Sequence, residues 1–569
     1  SFTDAGNYYA YDAVATGSES VEVVAGGSSI NVIFKKTAVT AGAYVWKGMY
    51  SEYWNELDAN FSTDGTNELG YQKGNSITFS DAMAPIKEVT QSKNFDLGAG
   101  DLIIDAPGYT IKNGAGKILS GTGAIKVNAT ASLGLSTKNL MPVYVNKDTL
   151  TVTNAELASK FIVADGTFLQ PGYSITTPIE GTGETLTILS KVFNYTSSIT
   201  GVKNLNYVLQ TKGSAGTSGI KGMSKMYFSF DSLAKVNVST TAGNASIFAT
   251  YPNYRNNYIS LGDSVYMAYS ETPSPNGTTV QNIGELKGSK SAKLVGPSIR
   301  KMTYNIGYLN TDASFDGELK PILTDSYGNF TDFNINKVGK GKWTLNGSSP
   351  YFLGKVTVTD GVLEVNDTLC NGIGTYTYPT TTVNNQIAEV LVTDTATLKG
   401  SGFIGSLQTT LNGTITGKLT LGGNLSLKID MGEGGATTII NVNGTDVDKI
   451  TVEGDLYYGG KLKVNIISAP PAGDYQILKF NSYIESGMYG FDTIDLPVGY
   501  TYDYTTGMLH VPTGVKYIDA NKEVSSIEYF DLTGKKVMKN TAGLVIMKVK
   551  YTDGTSGVYK TFKKDDVRK

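Results

Sequence analysis

The shortness of its apolar runs is what most constrains this chain. Stretches such as SITFSD (76–81) alternate apolar and polar residues over a few positions and then stop at Gly, Asn or Asp. The pattern repeats through GDLIIDAPGYTIKNGAGKILSGTGAIKVNATASLGL (100–135) and KWTLNGSSPYFLGKVTVTDGVLEVNDTL (342–369). Strict alternation is the mark of a half-buried strand, and strands this short cannot bury a face alone. Stacked rungs of about 20 residues turn such strands into one continuous apolar column. Recurrent G-T-G, G-K-G and G-S-G steps suit the tight corners of such a stack, where φ > 0 is needed. Helical periodicity is nearly absent. NAELASKF (154–161), with Asn154 as N-cap, is the one short helical candidate. The predicted fold is therefore all-β, a right-handed parallel β-helix (solenoid), most regular over 401–466.

Composition agrees. Charged residues are 17% of the 569, and there are 66 Gly, 16 Pro and 36 Tyr. That is a strand-forming chain with enough apolar content for a core. The length does not translate into four globular domains, because solenoids grow by adding repeats. The net charge of −3 argues against a nucleic-acid partner, since phosphate binding needs clustered Lys and Arg. The balance is uneven. Residues 516–569 hold twelve Lys and Arg against seven Asp and Glu, a net of +5, which leaves −8 elsewhere. No apolar run approaches the roughly 20 residues of a transmembrane helix. Beginning at Ser1 is compatible with a removed signal peptide, and the chain is compatible with being part of a longer protein.

The tail reads differently. SSIEYFDLTGKKVMKNTAGLVIMKVKYTDGTSGVYKTFKK (525–564) alternates around turns at 532–534 and 553–554, the pattern of a small antiparallel β-sandwich. The expected organisation is an N-terminal β segment or cap (1–40), a β-helix repeat region (41–511) and a C-terminal sandwich (512–569).

Chemistry-bearing residues are sparse. His510, in MLHV (508–511), is the single histidine, and Cys370 the single cysteine. Multi-histidine metal sites, thiolate zinc sites and internal disulfides are thereby excluded, and no cofactor is expected. His510 reads as a strand residue, not a catalytic base. Carboxylate chemistry needs paired acids, for which the candidates are Asp312/Asp316/Glu318, Asp446/Asp448 and Asp565/Asp566. Turn or solvent duty is expected of each. The Gly-rich 114–123 precedes no helix and lacks GK[ST], so it reads as corners, not a phosphate loop.

Aromatic side chains are the binding-type candidates, because their faces stack on sugar rings. Trp46, Tyr50, Tyr53 and Trp54 crowd the N-terminal region. Tyr251, Tyr254 and Tyr258 form a second group (YPNYRNNY), with Arg255 able to bond hydroxyls. Trp46 and Trp54 have a competing duty, plugging the open end of a solenoid, and capping fits that pair better.

KVGKGKWTLNGSSPYFLGKVTVTDGVLEVND (337–367) resembles the autotransporter-associated β-strand repeat. Gly339, Gly341, Trp343, Leu345, Gly347, Tyr351, Gly354, Val356, Gly361, Leu363, Val365 and Asn366 occupy its patterned places. Segments 283–288, 304–319, 396–405, 414–427, 448–466 and 472–478 resemble further parts of such regions. VWKGMYSEYWNELDANFS (45–62) resembles their opening, through Trp46, Gly48, Trp54 and Asn60, with Phe61 in the final Trp position. The stretch 140–280 matches poorly. The tail resembles the C-terminal sorting domains of Bacteroidota proteins exported by the type nine secretion system, through 529–537 (YFDLTGKKV) and 543–547 (GLVIM). These resemblances imply an extracellular or outer-membrane-surface protein. They also imply O-glycosylation at Asp-(Ser/Thr)-(small or aliphatic) sites, here Thr149, Ser232, Ser264, Thr368, Thr395 and Thr493, of which only turn-located ones are open to modification.

The functional expectation is a non-catalytic surface protein: an adhesin, a stalk or a scaffold contacting a polysaccharide or a host or cell-surface glycan. Two alternatives stay open. One is a polysaccharide lyase or hydrolase, or the accessory β-helix of a pectin-type enzyme. The other is a self-associating surface-lattice subunit.

Overall fold

The computed structural model describes residues 19–26, 29–36, 43–72, 74–138, 141–153, 158–172, 177–190, 194–195, 198–210, 214–216, 219–221, 224–226, 233–241, 245–249, 253–268, 279–296, 302–321, 332–371, 375–378, 381–384, 387–427, 435–485, 490–513, 522–539, 541 and 543–563. Among them there is no helix, and most strands pair in parallel with one in a neighbouring rung. The protein is an all-β parallel β-helix, carried by two compact units: residues 1–216 with 220–271, and residues 217–219 with 272–569.

In the first unit, strands Tyr44–Trp46, Ile77–Phe79, Leu102–Ile104, Ile125–Val127, Val143–Val145, Phe161–Val163, Ile179–Gly181 and Ile199–Thr200 form one parallel ladder. Its register places Ile77, Leu102, Ile125, Val143, Phe161, Ile179 and Ile199 one above another, all buried. A second ladder runs from Tyr53–Trp54 through Glu88–Gln91 and Tyr109–Asn113 to Asn253–Leu261. It stacks Tyr109, Ala131, Leu150, Leu169, Ile188, Tyr207, Val238 and Leu261 in the same way. Alternation along each short strand thus becomes a column across strands, which is what the sequence pattern requires. The rungs continue through 143–261, where the repeat resemblance is poor. The helical candidate at 154–161 is corrected in part. Residues 154–157 lie outside the described residues, but Phe161 opens a strand, because its ring fills the column between Val143 and Ile179. An antiparallel hairpin, Glu19–Gly26 with Ser29–Lys36, lies within the expected N-terminal segment.

The second unit also has two long parallel ladders. One runs from Thr279–Gly288 through Phe333–Lys337 to Ser482–Ile484. The other runs from Ala313–Phe315 through Lys342–Leu345 to Thr493–Asp495. Its core column reads Ala313, Trp343, Leu363, Leu398, Ile415, Thr438, Leu462. At the tail, Lys536–Val537, Val524–Phe530, Gly543–Tyr551 and Ser556–Lys563 form an antiparallel sheet in that spatial order. The turns fall where expected, with Gly534 and Gly554 at φ 86° and 81°. The described strands of the tail make one sheet, where the alternating pattern of 525–564 predicts two packed layers. One of its faces buries Val545, Val549, Tyr551 and Tyr559.

Candidate functional site

The first rungs separate the four N-terminal aromatics. Trp46 and Trp54 are fully buried. Trp46 packs edge-on to Phe61 at 5.0 Å and donates its indole N–H to the Ile86 carbonyl at 2.8 Å. Trp54 stacks flat on Phe95 at 5.2 Å and meets Tyr71 edge-on at 5.6 Å. Neither face is open to a sugar, which corrects the binding assignment for both. Large rings at the end of an apolar column remove area from water that the first rung would otherwise expose. Phe61–Ser62 pairs antiparallel with Tyr44–Trp46, and Glu68–Leu69 pairs antiparallel with Phe61–Ser62 in turn, so this ladder's edge is covered by an antiparallel pair of short strands.

Tyr50 and Tyr53 point the other way, 65% and 46% exposed. One buried side chain fixes the loop that carries them. Asn60 Oδ1 accepts from the Tyr50 and Ser51 backbone N–H groups at 2.9 and 3.2 Å. Its amide donates to Ser51 Oγ at 3.0 Å and the Tyr53 carbonyl at 3.1 Å. A hydrogen bond from the Tyr50 hydroxyl to Glu68 raises the Tyr50 pKa. Strand alternation requires only that the adjacent Tyr53 and Trp54 face opposite ways, and which of them turns inward is set by the strand's phase.

The described members of the second aromatic group do not share one exposed face. Tyr251 lies outside the described residues. Strand Asn253–Leu261 buries Tyr254, exposes Arg255 and leaves Tyr258 half-buried. Inward positions 254 and 257 are three apart, so the alternation slips a phase within the strand. Tyr254, being fully buried, cannot stack on a ligand, which corrects its assignment. Arg255 and Tyr258 remain accessible.

The acids are consumed by neighbouring rungs. Asp312 Oδ1 accepts the Lys342 backbone N–H at 2.8 Å, and Asp316 accepts from Asn346 at 2.7 Å. Glu318 pairs with Lys293 at 2.8 Å. Asp446 pairs with Lys418, while Asp448 Oδ2 accepts from Thr416, Gly417 and Asn441. Asp565 and Asp566 lie outside the described residues. Glu364 bridges three rungs, 3.0 Å from Lys342 and 3.6 Å from Lys399. Partial burial works to raise its pKa, but these two cations bring the net shift below the ordinary value. Among the described residues no three His, Cys, Asp or Glu side chains converge as metal ligands.

Two further ionisable groups, His510 and Lys337, take their character from the strands beside them. His510 Nδ1 lies 2.5 Å from Asp474 Oδ1, and Thr501 flanks His510 on the other neighbouring strand. The row has the residue types of a hydrolytic triad. However, the His510 and Asp474 side chains are 57% and 60% exposed, so water is not excluded from the pair. Lys337 is the reverse case, a lysine in the apolar column between Ile306 and Val358 and almost wholly buried. Its ammonium donates to the carbonyls of Val338, Gly339 and Asp360 at 2.9, 2.7 and 3.1 Å. Burial pushes its pKa down to about 8, against the opposing pull of Asp360 and Asp312.

The implied glycosylation positions divide by location. Thr395 is exposed in a turn, Ser264 is half-buried in a turn, Thr368 is half-buried in a loop, and Thr149 and Thr493 lie in strands. Ser232 lies outside the described residues. Neither protein-family models nor curated proteins contain a match to this chain.

Proposed function

We propose that this chain is a non-catalytic β-helical scaffold held outside the cell, with a glycan-contacting patch at Tyr50 and Tyr53. The pairing of outer-face ionisable groups from rung to rung carries this reading. Lys126 with Asp101, Lys160 with Glu180, Lys203 with Glu184, Lys355 with Glu389 and Lys461 with Asp495 each join adjacent rungs. An acid held by a lysine of the next rung serves the stack and is not poised for proton transfer. The surface location rests on the likeness of the repeats to autotransporter-associated strands and of the tail to sorting domains.

Incubation with a panel of acidic and neutral polysaccharides is expected to yield no unsaturated products and no new reducing ends. Measurable turnover would overturn the non-catalytic reading. On a glycan array the full chain is expected to give signals that Tyr50→Ala/Tyr53→Ala loses at least tenfold, in line with about 1 kcal/mol or more per stacked ring. An array response unchanged in that variant would remove the tyrosine patch while leaving the scaffold reading in place.

A further inference from the structure

The outward face of the C-terminal sheet holds an unusual set of side chains. Register places Lys536, Phe530, Ile546 and Lys560 in one cross-strand row and Glu528, Lys548 and Val558 in the next. Ser526, Lys550 and Ser556 form a third. Among the described residues four lysines thus share one face with a single carboxylate, Glu528, which is bound to Lys536 at 2.7 Å. The turn acids at the rim are engaged elsewhere. Asp531 caps its own turn, and Asp553 pairs with Lys522 at 2.7 Å. Lys548 and Lys550 are two residues apart on one strand, about 7 Å, and Lys560 lies one strand over. Leu544 and Val558, 44% and 51% exposed, sit among these lysines. The opposite face is the one that buries Val545, Val549, Tyr551 and Tyr559, so sheet stability does not call for apolar residues here.

We propose that this face docks on an anionic lipid surface. Charge complementarity selects an anionic partner: three lysines face outward in excess of the one internal ion pair. The remaining residues select a lipid over a soluble polyanion. Exposed aliphatic side chains between cations suit the boundary of headgroups and acyl chains. A polysaccharide site would instead call for an open aromatic platform and amides; among the described positions of this face the one aromatic ring with a described side chain, Phe530, is half-buried, and there is no Asn or Gln.

The test is co-sedimentation of the full chain with vesicles of phosphatidylcholine alone or with about a third phosphatidylglycerol. Binding is expected only to the anionic vesicles, falling as salt rises. Lys548→Gln/Lys550→Gln/Lys560→Gln is expected to weaken it about a hundredfold, at roughly a fivefold loss per lysine. A control triple, Lys147→Gln/Lys235→Gln/Lys463→Gln, is expected to bind as the parent does. Leu544→Ser/Val558→Ser, a second variant that keeps every charge, is expected to bind several-fold more weakly. Absence of anionic-vesicle binding by the parent, or equal binding by a folded Lys548/Lys550/Lys560 triple, would overturn the proposal. So would undiminished vesicle binding by Leu544→Ser/Val558→Ser together with displacement by a soluble acidic polysaccharide, which would reassign the face to that partner.

Discussion

Lys337 stands where an aliphatic residue would ordinarily stack, between Ile306 below and Val358 above. Three carbonyls satisfy its ammonium, yet removing the charge from water still costs more than they return, hence the pKa of about 8. The sign of the linkage follows. Below about pH 8 the lysine is charged in both the folded and the unfolded chain. Between there and its unfolded value of 10.5, the unfolded chain holds a proton that the folded chain has lost. Folding is therefore expected to gain about 1.4 kcal/mol per pH unit from Lys337 as pH rises from 8 to 10. Above about pH 10 the trend is expected to reverse. Burial raises the pKa values of Tyr71, Tyr109, Tyr458 and Tyr502, so their folded-state stabilisation is lost as pH climbs past 10. Urea midpoints measured across pH 7–11 would show a rise and then a fall, and Lys337→Met would lose about one proton's worth of the rising limb. An unchanged limb in that variant would refute the assignment. Strand alternation did not mark this lysine as buried, although it opens the segment that resembles the autotransporter-associated repeat, since NINK (334–337) alternates like any other strand and its last residue could cap the strand in solvent.

The element to weigh is the rung and its corner. Core faces were legible because β-branched and aromatic residues alternate on a period of two, and parallel stacking keeps that period in register from rung to rung. Corners were legible through glycine, and Gly339 shows why. It adopts φ +71°, and a Cβ there would lie 2.1 Å from the Gly307 carbonyl of the rung beneath. Gly534, at the tip of a tail turn, adopts φ +86° with nothing within 4 Å of the same position. Gly534→Ala is therefore expected to cost only the left-handed backbone penalty, about 1 kcal/mol. Gly339→Ala adds a backbone collision to it and is expected to cost at least about 3 kcal/mol, read as the difference in chemical-denaturation midpoints. Equal costs would show that the Gly339 corner relaxes freely. What the element scale hid was the candidate site. Which of two adjacent aromatics faces out depends on strand phase, and phase slips occur, as between Tyr254 and Asn257, that no local pattern announces.

For the whole molecule, the consequence of repeat stacking is energetic. Each rung is held by the rungs next to it, so a defect is felt by its neighbours and fades with distance along the stack. The two compact units each hold an apolar column, and each offers a site where one substitution has a clear sign. In the first, Trp54→Ala would empty the space beside Phe95 and Tyr71 and is expected to cost about 3–5 kcal/mol. In the second, Thr438 sits between Ile415 and Leu462 with its hydroxyl buried and without a hydrogen-bond partner among the described residues. Thr438→Val removes that polar atom at nearly constant shape and is expected to stabilise by about 1 kcal/mol. If nearest-neighbour coupling governs the chain, calorimetry should resolve more than one transition. Trp54→Ala should lower one of them, Thr438→Val should raise a different one, and the double variant should show both shifts undiminished. A single transition moved by both substitutions would mean that the units unfold as one cooperative block, and that stability in this protein is set by the stack as a whole and not by its rungs.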